Sequence, residues 1–219
     1  MKISPTLTEV KEIAKTGKYD ILPVSCEILS DFITPIEAMR ILQNVSTHCY
    51  LLESAQANEA WGRYTFLGYD PKLEINCIDG HMKLGKLSVE TENPSEYIRQ
   101  ILSEYKSPKF DYLPSFTGGL VGYFSYDYLG YKEKSIRGKA RDTEDFKDVD
   151  LMLFDKVIAF DNLCQKIILI ANMSLDAPET GYNKAIVELK QLRELLMHGE
   201  KKQNMGGKLL GEVTPLFEK

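Results

Sequence analysis

The chain has 219 residues, 43% of them hydrophobic, and 32 acidic against 27 basic side chains for a formal charge of −5. That length holds one sizeable core or two small ones, and no Lys/Arg cluster marks a nucleic-acid face. No apolar run approaches the roughly 18 residues of a membrane span, and the polar opening MKISPTLTEVKEIAK lacks the apolar stretch of a signal peptide.

In chain order, Leu7, Val10, Ile13 and Ala14 share one face, which predicts a helix over 5–16 with Gly17 as its stop. DILPVSCEIL, 20–29, reads as an extended segment whose Pro23 suits an edge or an end. Thr34-Pro35-Ile36-Glu37 opens a second helix, with Thr as the cap and Pro in the first turn, running to about Asn44. Strands are expected at 48–53, 63–69, 72–78 and 81–86, with Asp79-Gly80 as a hairpin turn between the last two. Asn93-Pro94-Ser95 starts a helix carrying Tyr97, Ile98, Ile101, Leu102 and Tyr105 on one side. FTGGLVGYFSYD, 116–127, returns to strand. The charged stretch 131–150 reads as a solvated loop with one short helix. DLMLFDKVIAFDNLCQKIILIANM is a strand pair turning near 162–165. Tyr182, Ile186, Leu189, Leu192 and Leu196 repeat at helical spacing over 178–198 and mark a core-facing stripe. Gly199 ends it, and EKKQNMGGKLLGEVTPLFEK, 200–219, reads as a linker. The expected organisation is therefore a domain over 1–199 followed by a linker over 200–219.

No complete catalytic set is visible: no Walker A loop, GxSxG, HExxH or dinucleotide fingerprint. His48, His81 and His198 are scattered, and His198 suits a helix C-terminus. Cys26, Cys49, Cys77 and Cys164 form no CxxC pair, so a zinc cluster has no support. All four sit in apolar contexts, where free Cys acts as a small buried hydrophobe, and a reducing cytoplasm is the simplest location. His48 and Cys49 are neighbours in a strand and face opposite ways, which is poor geometry for a thiol and its base.

Two stretches ask for more. Gly118, Gly119 and Gly122 interrupt a β-type run, which points to a bulge, a positive φ, or another backbone or ligand passing close. In CYLLESAQANEAWGRYTFLG, 49–68, a hydrophobic strand ends on a carboxylate and a hydroxyl, Glu53 and Ser54. An ion pair from Arg63 to Glu53 across the hairpin would account for both residues without any ligand.

Taken together and in this order, LLES, GRYTFLG, FTGGLVGYFSYD and DLMLFDKVIAFDN resemble the N-terminal region of anthranilate synthase component I, over roughly residues 5 to 175. One departure is small: many members carry His after the final FD, where this chain has Asn162. Members are about twice this length, and their C-terminal half holds chorismate and Mg²⁺ through a run of glutamates that nothing here matches. The resemblance therefore implies an α+β fold, a mostly antiparallel β-sheet sandwich half with flanking helices, acting as the regulatory and scaffold part of a larger enzyme. The whole enzyme converts chorismate to anthranilate and pyruvate as a Mg²⁺-dependent carbon–oxygen lyase, with ammonia from a glutamine amidotransferase subunit, component II. It implies no catalytic, substrate-binding or metal-ligating residue in this chain, and places the chorismate and Mg²⁺ sites beyond it.

In that family the LLES acid and serine line the site for the feedback inhibitor, L-tryptophan. A free amino acid brings an ammonium that wants an anion, a carboxylate that wants hydroxyl or N–H donors, and here an indole that wants an apolar wall. Glu53, Ser54, Leu52 and Arg63 are the expected inhibitor-binding residues, with Leu51 also near. In a regular strand Glu53 and Ser54 would point to opposite faces, so either the strand bends there or one of them acts through its backbone. Two alternatives are aminodeoxychorismate synthase component I, which shares the fold and substrate, and a stand-alone amino-acid-binding or interaction module.

Overall fold

The computed structural model describes residues 2–54, 62–133, 135, 146–202 and 211. Its elements are β1 (Ile3–Ser4), α1 (Leu7–Lys15), β2 (Ile21–Leu29), α2 (Pro35–Val45), β3 (Cys49–Leu52), β4 (Tyr64–Tyr69), β5 (Leu73–Ile78), β6 (His81–Leu84), β7 (Leu87–Glu90), α3 (Pro94–Ser103) and β8 (Gly119–Phe124). A 3₁₀ helix over Tyr126–Tyr131 follows, then β9 (Val149–Phe154), β10 (Lys156–Asp161), β11 (Lys166–Ser174) and α4 (Pro178–His198). The strands form two antiparallel sheets, ordered β1-β2-β11-β10-β4-β3 and β7-β6-β5-β9-β8. The α+β class with antiparallel sheets and flanking helices is as the sequence indicates.

The first two helices start where side chains can satisfy their orphan N–H groups. Thr6 with Glu9, and Thr34 with Glu37, each form a reciprocal capping box. The six-stranded sheet buries one face under α1, α2 and α4, through Leu22, Val24, Leu67, Ile158, Ile167 and Leu169 against Val10, Ile41, Leu42, Leu189 and Leu192. Its other face, with Val157, Ala159, Ile168 and Ile170, is covered by Phe110, Leu113 and Phe116. Burial on both faces is why Ile167–Ala171 is an unbroken apolar run rather than an alternating one. The five-stranded sheet has its own core, Ile75, Cys77, Met82, Val149 and Leu151, closed by Ile98 of α3. Pro23 fits the edge expectation: β1 reaches only Ser25 and Cys26, so at Pro23 strand β2 is paired with β11 alone. Asp79 and Gly80 both take positive φ, 50° and 84°, as the two-residue hairpin turn requires.

DLMLFDKVIAFD is not one strand. It breaks at Asp155, with β9 in the five-stranded sheet and β10 in the six-stranded one. The two apolar runs look continuous in sequence because each is buried in a different core. The corner is held from β11: the Asn172 backbone N–H and its side-chain amide donate to the Asp155 carbonyl at 2.8 and 2.9 Å, and the amide also donates to the Thr117 carbonyl at 2.7 Å. Here the glycine run finds its reason. A Cβ on Gly118 (φ +146°) would stand 2.5 Å from the Asn172 amide nitrogen, and one on Gly122 (φ +152°) would run into the Asp150 carbonyl oxygen. Both glycines let β8 lie close against its neighbours.

Three further expectations change. A seventh strand, β7, extends the hairpin that the sequence ended at 86. The short helix expected inside 131–150 lies earlier, over Tyr126–Tyr131, while 134 and 136–145 fall outside the described residues. Its end is tied down where the Tyr131 hydroxyl accepts from the Gly80 N–H at 2.6 Å and donates to Asp148 at 2.7 Å. Glu200, Lys201 and Lys202, at the start of the expected linker, are hydrogen-bonded along α2. Residues 203–210 and 212–219 lie outside the described residues.

If Asn172 is the clamp between the sheets, Asn172→Ala leaves the Thr117 carbonyl without its side-chain donor and the Asp155 carbonyl with one donor of two. The expected loss is about 1–3 kcal/mol, or roughly 2–4 °C in Tm for each kcal/mol, measured by thermal melting. A variant that melts with the parent would show that the corner is held by packing alone.

Candidate functional site

The residues singled out in LLES…GRYTFLG meet at one end of the six-stranded sheet, where β3 ends, β4 begins and the β10–β11 turn closes. β3 is an edge strand paired only with β4, from Cys49 opposite Tyr69 to Leu52 opposite Phe66. It stops at Leu52. Glu53 and Ser54 therefore lie past the last ladder pair, free of the strand's alternation, and both are exposed. That resolves the geometric conflict that a regular strand would impose. The polar segment 55–61 lies outside the described residues.

Side-chain alternation sorts the strand. Leu51 packs into the helix-covered core. Tyr50, opposite Gly68, turns to the other face and stacks edge-on to Phe154 at 4.7 Å. Leu52, also on that second face opposite Phe66, is 47% exposed at the sheet's end. The Tyr50 hydroxyl is buried without a hydrogen-bond partner, alone in this among the described side chains, and burial pushes its pKa up. Gly68 is the residue that makes room for that ring, since a Cβ there would stand 2.7 Å from its Cζ.

Arg63 departs from the simple ion-pair account. Its guanidinium grips Asp161 with two hydrogen bonds, Nε to Oδ1 at 3.1 Å and Nη2 to Oδ2 at 2.7 Å. It does not pair with Glu53, so that account is set aside. Glu53 makes no ion pair with another described residue. Asp161 is 4% exposed and also accepts N–H bonds from Leu163 at 3.2 Å and Cys164 at 3.1 Å. Burial acts to raise its pKa, but the bonds from Arg63 and the Cys164 N–H outweigh it and hold the carboxyl below its usual range. Arg63 also lies over the Tyr64 ring at 4.9 Å.

Asp161 is the residue that sequence reasoning passed over here, and Asn162 stood out only as a departure from His. Asn162 donates its N–H to the Arg63 carbonyl at 2.9 Å and its amide to the Thr65 hydroxyl at 3.3 Å. The departure from His at this position thus falls on a residue that ties the β10–β11 turn to β4. A lone acid ending an apolar run, as in VIAFD, was the available signal. Cys164, expected in an apolar setting, is exposed because it sits in the turn that reverses the chain. His48 and Cys49 go separate ways as the alternation demands: His48 lies 3.3 Å from Glu74, and the Cys49 thiol faces the Ser46 carbonyl at 3.7 Å. Among the described residues no group of three or more His, Cys, Asp or Glu could hold a metal ion, and no helix is long and apolar enough to cross a membrane.

Fold and site together define an α+β unit of two antiparallel sheets with an exposed acid–hydroxyl pair at one sheet's end. Over 198 residues, 88% of the chain, it is 34% identical to anthranilate synthase component 1 of Acetivibrio thermocellus, and over 196 residues, 86% of the chain, 36% identical to that of Pseudomonas aeruginosa. The chain thus belongs in sequence with the anthranilate synthase component 1 proteins, and it spans 39% of the length of these two. A solved anthranilate synthase component I from Streptococcus pneumoniae TIGR4 aligns with 76% of this chain and 36% of its own, at 25% identity and a TM-score of 0.49. No family model matches the chain.

Removing Arg63 strands a buried carboxylate. Arg63→Met should cost about 1.5–3 kcal/mol at pH 7. Because the folded pKa of Asp161 is depressed, the pair's contribution is complete above the unfolded value of about 3.9 and is lost as pH falls through the lower folded value. The gap between parent and variant in urea unfolding should therefore hold from pH 7 to 5 and close below about pH 4. A gap that stays constant down to pH 3 would show that the pair is not what Arg63 contributes.

Proposed function

We propose that this chain is the N-terminal regulatory and scaffold part of an anthranilate synthase component I, and that Glu53, Ser54 and Leu52 form its feedback site for L-tryptophan. One observation carries the reading. In a chain 34–36% identical to anthranilate synthases over most of its length, the strand bearing LLES stops at Leu52 and leaves the acid and the hydroxyl exposed beside an apolar side chain. These are the three chemistries that a zwitterion with an indole calls for. The Glu53 carboxylate takes the ammonium, Ser54 and nearby N–H groups take the carboxylate, and Leu52 takes the ring. In this reading Arg63 acts through Asp161, holding β4 and the returning end of the loop in place rather than meeting the ligand.

The whole enzyme would convert chorismate and ammonia to anthranilate and pyruvate, with ammonia supplied by a glutamine amidotransferase partner, and would work in the cytoplasm. Mg²⁺ would polarise the carboxylate substrate when bound, at a site outside this chain. The relatives cited carry the anthranilate synthase name, which sets this reading ahead of aminodeoxychorismate synthase.

A hydrogen bond to a charged group is worth about 1.5–3 kcal/mol, roughly a 10- to 150-fold change in affinity. Ser54→Ala and Glu53→Gln should each weaken L-tryptophan binding by that factor in calorimetry, with Glu53→Gln melting with the parent since that side chain is exposed. Variants that bind as the parent does would remove Glu53 and Ser54 from the site.

A further inference from the structure

α1 starts on the same capping box as α2, but the acid of its box is only half answered. Glu37, the box acid of α2, accepts from Thr34 through Oε2 and from Lys201 through Oε1. Glu9, the box acid of α1, accepts from the Thr6 N–H at 2.7 Å and the Thr6 hydroxyl at 2.8 Å, both through Oε2. Its Oε1 has no partner among the described residues. The bonds from Thr6, the backbone N–H foremost, hold the Glu9 carboxyl below its usual range, so it is charged at neutral pH and fixed in direction. One turn on, Glu12 holds only Lys15 of its own helix, at 2.7 Å on the surface, a pair that contributes little.

Both acids stand at the rim of a groove of about 400 Å³ whose apolar wall is Pro5, Ile13, Phe110 and Tyr112. The Tyr112 ring stacks on Phe110 at 5.1 Å and 24°, and the residue is still 47% exposed. Burial, helped by the nearby Glu9 charge, pushes its phenol up to about 12, so the ring is neutral at pH 7. Ser4 and Tyr112 also line a second cavity of about 440 Å³, which runs over β2 to Leu113 and Ile168 and carries Lys2 and Glu27. Lys166 answers Glu27, and Lys11 is taken by Glu179. β1, which holds Ser4, is the edge strand opposite β3 and is paired on one side only. The groove therefore lies across the sheet from Glu53 and Ser54.

We propose that this groove is a docking surface for a partner protein, and that its occupant is an exposed arginine side chain of that partner. An arginine meets each feature in turn. Its aliphatic stem lies along Pro5 and Ile13, its flat guanidinium covers the open face of Tyr112, and its N–H fork reaches the free Oε1 of Glu9 with Glu12 beside it. A lysine would bring a point charge with no plane to stack. The Glu9 carboxylate is held in place before the cation arrives, so little order is lost on docking. A free guanidinium compound would fill the first cavity alone. A chain segment also fills the second and meets the open edge of β1 between them.

An NMR titration of the isotope-labelled 219-residue chain tests this. The probe is the blocked peptide acetyl-Leu-Arg-Leu-amide, and the control carries citrulline, which keeps the shape of arginine and loses the charge. The N–H signals of Thr6, Glu9, Ile13 and Tyr112 should shift and saturate with the arginine peptide, and the citrulline peptide should bind about tenfold more weakly, the scale of one hydrogen bond to a charged group. Glu9→Gln keeps the capping box, since Gln serves at that position too, and should weaken the arginine peptide by the same factor. Tyr112→Leu should weaken it about two- to fivefold. Equal binding of the two peptides, or an affinity unchanged in Glu9→Gln, would overturn the arginine assignment. No saturable shift at these residues by about 10 mM peptide, well above a millimolar Kd, would remove the docking surface. Agmatine binding as tightly as the peptide would overturn it in favour of a small-molecule site.

Discussion

A buried carboxylate has to be answered, and the answer that Asp161 receives organises this end of the molecule. A charge so nearly sealed from water is destabilising unless it is paired and its lone pairs are filled. Arg63 and two turn N–H groups fill them. The same bonds settle three positions at once: where β4 starts, how the β10–β11 turn lies, and where the loop from Ser54 comes back. Asn162 repeats the tie through its backbone N–H to Arg63. The end of β4 that faces the exposed pair Glu53–Ser54 is thus fixed, while the pair itself lies past the last rung of the edge strand β3.

What could be read from sequence follows from which forces are local. The four α-helices stand out because caps and periodic apolar faces are short-range signals: Thr34-Pro35 before Ala38, Ile41 and Leu42, or Tyr182 through Leu196. The β5–β6 hairpin is equally plain, since Asp79-Gly80 can take positive φ at low cost. The split at Asp155 was hidden because burial in two different cores looks the same as burial in one. Only Asn172, distant in sequence, marks the corner. The partner of Arg63 was hidden for a related reason. Glu53 is near in sequence and Asp161 is not, and the sheet order β10-β4-β3 puts Asp161 beside Arg63.

The glycines of FTGGLVGY show the same limit from the other side. Their need was legible in the sequence, while the identity of what approaches them was not. The structure supplies the Asn172 amide, from the other sheet, at Gly118 and the Asp150 carbonyl of the neighbouring strand β9 at Gly122, so close approach of protein atoms accounts for these two glycines. LLES differs, because among the described residues no ion pair explains an acid at position 53. This contrast is what directs the functional reading to the end of β3 and away from the glycine run.

The most direct test is a crystal structure of this chain grown with L-tryptophan. The account predicts the ammonium within hydrogen-bond distance of the Glu53 carboxylate, the ligand carboxylate at Ser54, the indole against Leu52, and Arg63 still on Asp161. A bound tryptophan that touches neither Glu53 nor Ser54, or that draws Arg63 away from Asp161, would contradict it.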